Sequence, residues 1–173
     1  MMMQKFKRPD TFIWLAFIMM VLLFYSSSQT YQEQTSVPTL QRWLVDKPFE
    51  SLLSRISFTY AGSEVSVAHL GYFKFCEFII RKGAHFGTYF ILGLSWYWGL
   101  KPRIKDTWLV MVVAELTTLG YAAFDEFHQM LTGDRTPLFQ DVMLDGSGAL
   151  TGIILTILLY AWWKKSHGHV LKK

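Results

Sequence analysis

Cysteine is almost absent from this chain. Cys76 is the only one among 173 residues, so no internal disulfide forms and no paired-cysteine metal knuckle exists. Charge is scarce too: Asp, Glu, Lys and Arg make up 17% of the sequence, against roughly a quarter in ordinary soluble domains. There is no internal repeat and no low-complexity segment. No two histidines stand at i and i+4 on one helix, which excludes the HExxH metal motif. The formal charge of +4 invites a nucleic-acid reading. The basic residues, however, flank apolar runs and do not form a phosphate-reading face. No nucleic-acid partner is expected.

Apolar residues are abundant, 51% of the chain with 17% aromatic. They gather into runs close to the roughly 20 residues that a helix needs to cross a bilayer. The expected fold class is all-α: a polytopic membrane protein forming one domain over 1–173. About four transmembrane helices are expected, near 11–28, 82–100, 107–127 and 141–163. The first run follows Lys5, Lys7 and Arg8, as a signal peptide would. It lacks an A-x-A-like cleavage site and its apolar core is long, so it reads as a retained helix.

Residues 30–80 are less hydrophobic and read as an extracytoplasmic segment. Leu40, Leu44, Leu52, Leu53 and Ile56 recur at near-helical spacing, with Trp43, Phe49 and Phe58 among them and Arg42, Lys47, Glu50 and Arg55 as the polar side. That pattern predicts an amphipathic helix on the membrane surface, or a small helical cap over the bundle. Pro38 and Pro48 break the segment, and Tyr60-Ala61-Gly62-Ser63 reads as a turn. Ten Lys/Arg residues lie at one set of run ends and seven, more thinly spread, at the other. The positive-inside rule then places both termini in the cytoplasm.

The polar residues concentrate where they are most costly. Asp125, Glu126, His128, Gln129, Asp134, Arg135, Asp141 and Asp145 fall between or just inside two apolar runs, and charge at membrane depth needs compensation. At about 100° per residue, Lys82, His85 and Tyr89 share one stripe, as do Asp141, Asp145, Gly148 and Gly152. Gly148-x-x-x-Gly152 permits close helix approach, so the face that packs inward is the face carrying the acids. Glu115 and Glu126 are nearly eclipsed on their helix. These stripes predict one outward-opening polar pocket. Its catalytic candidates are His85, Asp125, Glu126, His128, Asp141 and Asp145; its substrate-binding candidates are Lys82, Tyr89, Gln129 and Arg135. Structural roles compete: Asp141 as a helix cap, Lys82 as a snorkelling interface residue, Tyr89 as an aromatic-belt residue. Two chemistries stay open. The acids and imidazoles surround a divalent metal, or Lys82 and Arg135 balance the acids while His85 or His128 moves protons.

Lys82-Gly83-Ala84-His85-Phe86-x-x-Tyr89, Asp125-Glu126-x-His128-Gln129, Arg135, Asp141, Asp145 and Gly148 together resemble the VanZ-like family of bacterial membrane proteins. Ser26-Ser27-Ser28-Gln29 resembles that family's serine-glutamine step at the end of the first helix. Glu115 and the length of 29–80 lie outside these motifs. The resemblance implies a small multi-helix protein of the bacterial cytoplasmic membrane. It also implies an association with resistance to teicoplanin, a lipid-bearing glycopeptide acting at the outer membrane surface. Two functions fit best: an enzyme modifying a lipid-linked or anionic envelope substrate, and a non-catalytic binder of an envelope lipid or lipopeptide. An ion-conducting bundle with Glu115 as relay ranks last, because four helices leave little room for a pore.

Overall fold

The computed structural model describes residues 9–132 and 136–168. They are mostly helical. Four long helices, α1 (Pro9–Ser27), α6 (Tyr72–Leu100), α7 (Thr107–Leu131) and α8 (Phe139–Gly168), are joined by shorter elements. Three of them, α1, α7 and α8, contain stretches long and apolar enough to cross a membrane. The fourth, α6, is less apolar because it carries Lys74, Glu77, Arg81, Lys82 and His85. It packs against all three of the others and most extensively against α8. At 29 residues and about 1.5 Å per residue, it outruns a hydrocarbon core of roughly 30 Å. Its polar first turns therefore extend past any span that begins near Lys82.

Small residues set the helix spacing. A Cβ on Gly148 would stand 2.5 Å from the Phe86 carbonyl oxygen, and one on Gly152 would meet the Phe90 carbonyl even more closely. A Cβ on Gly93 would meet Ala149 Cα at 2.8 Å. Backbone thus lies on backbone, which membrane helices use where burial of apolar surface adds little. The numbers rise together on both helices, so α6 and α8 run parallel and α7 returns between them. Lys82, Asp141, the C-terminus of α1 and the C-terminus of α7 consequently share one end of the bundle, here the site end.

The opposite end is held more simply. Arg103 pairs there with Asp10, and a Cβ on Gly99 would touch Ile13. Asp106 caps α7 by accepting the Leu109 N–H at 2.7 Å, as Asp does at helix starts.

The segment between α1 and α6 departs from the helix expected over 40–56. It forms short helices α2 (Tyr31–Gln34), α3 (Val37–Trp43) and α4 (Glu50–Leu53). A two-stranded antiparallel hairpin follows, β1 (Ser57–Tyr60) with β2 (Ser63–Ser66). Then comes α5 (Val67–Leu70). The fold is therefore not purely α. The turn expected at Tyr60–Ser63 is present: Ala61 and Gly62 both have positive φ, 50° and 81°, as a two-residue hairpin turn requires. Lys47 and Phe49 also have positive φ on either side of Pro48, a kink that ends any continuous helix. Tyr72 holds the kink by donating to the Pro48 carbonyl at 2.8 Å. Of the predicted apolar stripe, Leu40 is buried, while Trp43 and Phe49 are 80% and 74% exposed.

Glu77 fastens this segment to α6. It is 2% exposed and accepts bonds from Tyr31 Oη at 2.8 Å, Thr35 Oγ1 at 2.9 Å, and the Ser36 N–H at 2.5 Å and hydroxyl at 3.2 Å. Burial first, and then the bond to Glu77, raises the pKa of the Tyr31 phenol above its ordinary value, so Tyr31 stays a donor. Removing the carboxylate strands these donors, which costs about 2 kcal/mol. Glu77→Ala is expected to speed limited proteolysis within 29–37 while the helix content measured by circular dichroism stays unchanged. Unaltered cleavage would show that the segment is held elsewhere.

Candidate functional site

Two cross-helix pairs form the centre of the site end. Lys82 Nζ lies 2.5 Å from Asp141 Oδ1, and His85 Nδ1 lies 3.4 Å from Asp145 Oδ2. They sit in register because 82 to 85 on α6 and 141 to 145 on α8 each advance about one turn along parallel helices. Asp141 is thus an ion-pair partner, beyond any capping role, and Lys82 is engaged within the protein, not snorkelling. Tyr60 from the hairpin donates to the same Asp141 oxygen. The Lys82 ammonium lies 4.9 Å from the Tyr60 ring centre and 5.5 Å from that of Phe78. Burial first, and then the bond to Asp141, raises the pKa of the Tyr60 phenol well above its ordinary value. It therefore remains a donor at any physiological pH.

Behind these pairs lie the buried acids. Asp145 is 1% exposed and Asp125 2% exposed. Each has one satisfied oxygen: Asp145 Oδ2 faces His85, and Asp125 Oδ2 accepts from Gln129 Nε2 at 3.0 Å. Their other oxygens, Oδ1 in both, are buried without a hydrogen-bond partner, and so is the Tyr89 hydroxyl. Asp125 and Asp145 each act electrostatically on His85 and on Tyr89. Tyr89 is fully buried and stacks near His85 with ring centres 6.5 Å apart, so it is a site wall and not a belt residue.

Glu126 and His128 have different surroundings. Glu126 Oε2 accepts the Leu138 N–H at 2.9 Å and so satisfies a backbone donor just before α8 begins. His128 lies against Phe24, ring centres 4.2 Å apart, and its Nδ1 is 2.7 Å from Ser27 Oγ. The Ser27 hydroxyl also reaches the Phe24 carbonyl at 3.0 Å. A serine that donates to that carbonyl accepts from Nδ1–H and leaves Nε2 as the open nitrogen. Glu115 meets α8 at Gly146, its Oε2 buried without a partner.

Of the ten residues predicted for the site, nine fall in this end of the bundle. Arg135 lies outside the described residues. Sequence reasoning missed Ser27, Tyr60 and Glu77 as members of the polar network. Ser27 was visible only through the serine-glutamine step, and Tyr60 only as a turn residue. Glu77 had a usable signal, an acid placed among Phe73, Phe75, Phe78 and Ile79.

Among the described residues, no set of three or more His, Cys, Asp or Glu side chains is arranged to hold a metal ion. The donors are instead drawn into pairs: Asp141 by Lys82, Asp145 by His85, Glu126 by backbone. Lys82, one of the two cations expected to balance the acids, does so for Asp141; the other, Arg135, lies outside the described residues. An open cleft reaches His85 of the central pairs. It measures about 400 Å³ and lies between α1 and α6; Leu23, Ser26, Gln29 and Gln34 line one side and Arg81, Ala84, His85 and Thr88 the other. His85 is the member of the central pairs on its wall. Asp145 faces Nδ1 of that ring at 3.4 Å.

No curated protein and no solved structure matches the chain. A model of the VanZ/LLP1 family matches residues 12–160, a stretch that contains both central pairs, the buried Asp125 and the cleft. With most of its length matched, this apolar, helical membrane protein belongs to the VanZ/LLP1 family.

Proposed function

We propose that the protein crosses the bacterial cytoplasmic membrane four times, through α1, α6, α7 and α8, with both termini in the cytoplasm. Its polar site then faces outward and acts on a lipid-linked or anionic envelope substrate. One observation carries this reading: His85, held from behind by the buried Asp145, lines a cleft that opens between α1 and α6. An imidazole oriented by a carboxylate is a proton carrier near neutral pH. A cleft with Leu23 and Thr88 at one part and Ser26, Gln29 and Arg81 at another suits a molecule with a polar head and an apolar chain. The Lys/Arg distribution supports the orientation. Exposed Trp43 and Phe49 beside Arg42 and Lys47 suit contact with the outer lipid surface.

In this reading His85 transfers the proton and Asp145 fixes its tautomer. Asp125 and Tyr89 shape the polar floor, and the Lys82–Asp141 pair keeps α6 and α8 in register. The test is turnover of total bacterial envelope lipid by the full chain in nanodiscs, followed by mass spectrometry. His85→Ala and Asp145→Asn are expected to lower product formation about 100-fold, the usual range for removing an acid–base group. Undiminished product with His85→Ala would overturn the assignment.

The exposed aromatic face favours a second reading: non-catalytic capture of an envelope lipid or of a lipopeptide such as teicoplanin. Ligand retained by the wild-type chain without product, and lost with Trp43→Ala/Phe49→Ala, would select it.

A further inference from the structure

We infer that the cleft between α1 and α6 takes the phosphate headgroup of a lipid, with Arg81 as the residue that holds the anion. This deepens the proposed function and rests on its reading of the site end as the substrate-facing end. Arg81 stands one turn before His85 on α6 and lines the cleft. It also lines a second cleft of about 210 Å³ bounded by Tyr31, Lys74 and Phe78. Its guanidinium carbon lies over the Tyr31 ring, 5.2 Å from the ring centre. Its Nη1 is buried without a partner.

The obvious carboxylate for Arg81 is Glu77, four residues earlier on the same helix. Glu77 is already taken by Tyr31, Thr35 and Ser36, and among the described residues no ion pair joins it to Arg81. Lys82 is likewise taken, by Asp141. Arg81 is therefore the cation beside His85 that has no carboxylate partner among the described residues, and a guanidinium fits two oxygens of one phosphate.

The shape of the cleft argues for a lipid. α1 and α6 touch at the opposite end, where a Cβ on Gly99 would meet Ile13 at 2.5 Å. Toward the site end the two helices part, leaving the cleft between Leu23 and Ser26 of α1 and Arg81, Ala84 and Thr88 of α6. A headgroup at Arg81 can thus enter sideways from the bilayer with its first carbons along Leu23 and Thr88. The anion that a bilayer surface supplies is phosphate.

The test uses the full chain in phosphatidylcholine nanodiscs, titrated with dihexanoyl phosphatidic acid and read by intrinsic tryptophan fluorescence. Inorganic phosphate and dihexanoyl phosphatidylcholine serve as headgroup-only and zwitterionic comparisons. Arg81→Gln is expected to weaken phosphatidic acid binding about tenfold or more, as loss of a charged hydrogen-bonding group does. Arg81→Lys retains part of it, and Lys105→Gln, exposed at the opposite end of the bundle, leaves it unchanged. Leu23→Trp, which fills the cleft, weakens phosphatidic acid and spares inorganic phosphate. Equal binding by wild type and Arg81→Gln overturns the inference, as does equal affinity for phosphatidic acid and phosphatidylcholine. Inorganic phosphate binding as tightly as phosphatidic acid overturns the lipid source. Should His85→Ala still abolish turnover of envelope lipid while Arg81→Gln binds normally, the proposed function stands and this assignment alone fails.

Discussion

Gly148→Val is expected to leave little folded protein. The new Cβ would stand 2.5 Å from the Phe86 carbonyl oxygen and 3.2 Å from the carbonyl carbon and Cα. Overpacking against side chains costs about 1–3 kcal/mol because side chains can turn aside. Here the obstructing atoms are helix backbone, so α6 and α8 must separate bodily. Separation breaks both central pairs at once. Lys82 and Asp141 lose contact, and Asp145 is left buried without His85. Fluorescence-detected size-exclusion chromatography after a heating series should show the monodisperse peak lost at a temperature lower by 10 °C or more, at about 2–4 °C per kcal/mol. Gly120→Ala is the control. It sits in α7 with nothing within 4 Å of its Cβ position, and it should gain roughly 0.5–1 kcal/mol from helix propensity. Equal melting of the two variants would mean that the helices are not held by backbone contact.

Lys82→Met is expected to destabilise the protein by about 2 kcal/mol, between the cost of breaking an exposed pair and that of breaking a buried one, because the pair is part-buried. Asp141 would keep only the Tyr60 hydroxyl, in a setting where its side chain is 16% exposed. Asp141→Asn should do less harm, since the amide still accepts from Tyr60 and Lys82 can reach toward water. The double variant Lys82→Met/Asp141→Leu should recover most of the lost stability, because no charge is then left uncompensated. Function separates the possibilities. If the pair only braces the helices, the double variant keeps wild-type turnover and lipid binding. If the pair also sets the position of His85 one turn away, stability returns and turnover does not. A double variant no more stable than Lys82→Met would show that the two side chains do not act as a pair.

Much of the bundle was legible because membrane helices announce themselves by long apolar runs. α1, α7 and α8 lie where such runs predict them, with ends that shift by a few residues. α6 begins ten residues before the expected start. Hydropathy marks where a bilayer would end, while the helix continues as long as its backbone bonds are satisfied, and Tyr72–Arg81 continues into the segment that carries the hairpin. The pairs Lys82–Asp141 and His85–Asp145 were within reach of sequence because helical periodicity fixes which side chains share a stripe. The order 141, 145, 148, 152 placed acids and glycines together, and the glycines do lie on α6.

The segment between α1 and α6 was not legible. Its leucines at 40, 44, 52, 53 and 56 imitate a helical period, but Pro48 and the positive φ of Lys47 and Phe49 break the chain between them. The hairpin strands have four residues each, too few for an alternating pattern to stand out. Tyr60 and Glu77 act through partners 81 and 41 to 46 residues away, and no local rule reports such distances. Tyr60 looked like a turn residue because it is one; its hydroxyl reaches Asp141 only once the hairpin folds down over α6.

The bond between Tyr60 and Asp141 also fixes an order of events during biosynthesis. The hairpin leaves the ribosome 81 residues ahead of its anchor, a delay of about 4–16 s at 5–20 residues per second. Until Asp141 emerges, neither Tyr60 nor Lys82 has its carboxylate. The helix α8 therefore latches a hairpin made long before it, and a chain stalled before α8 would leave Tyr60 and Lys82 open to quality control without their shared partner.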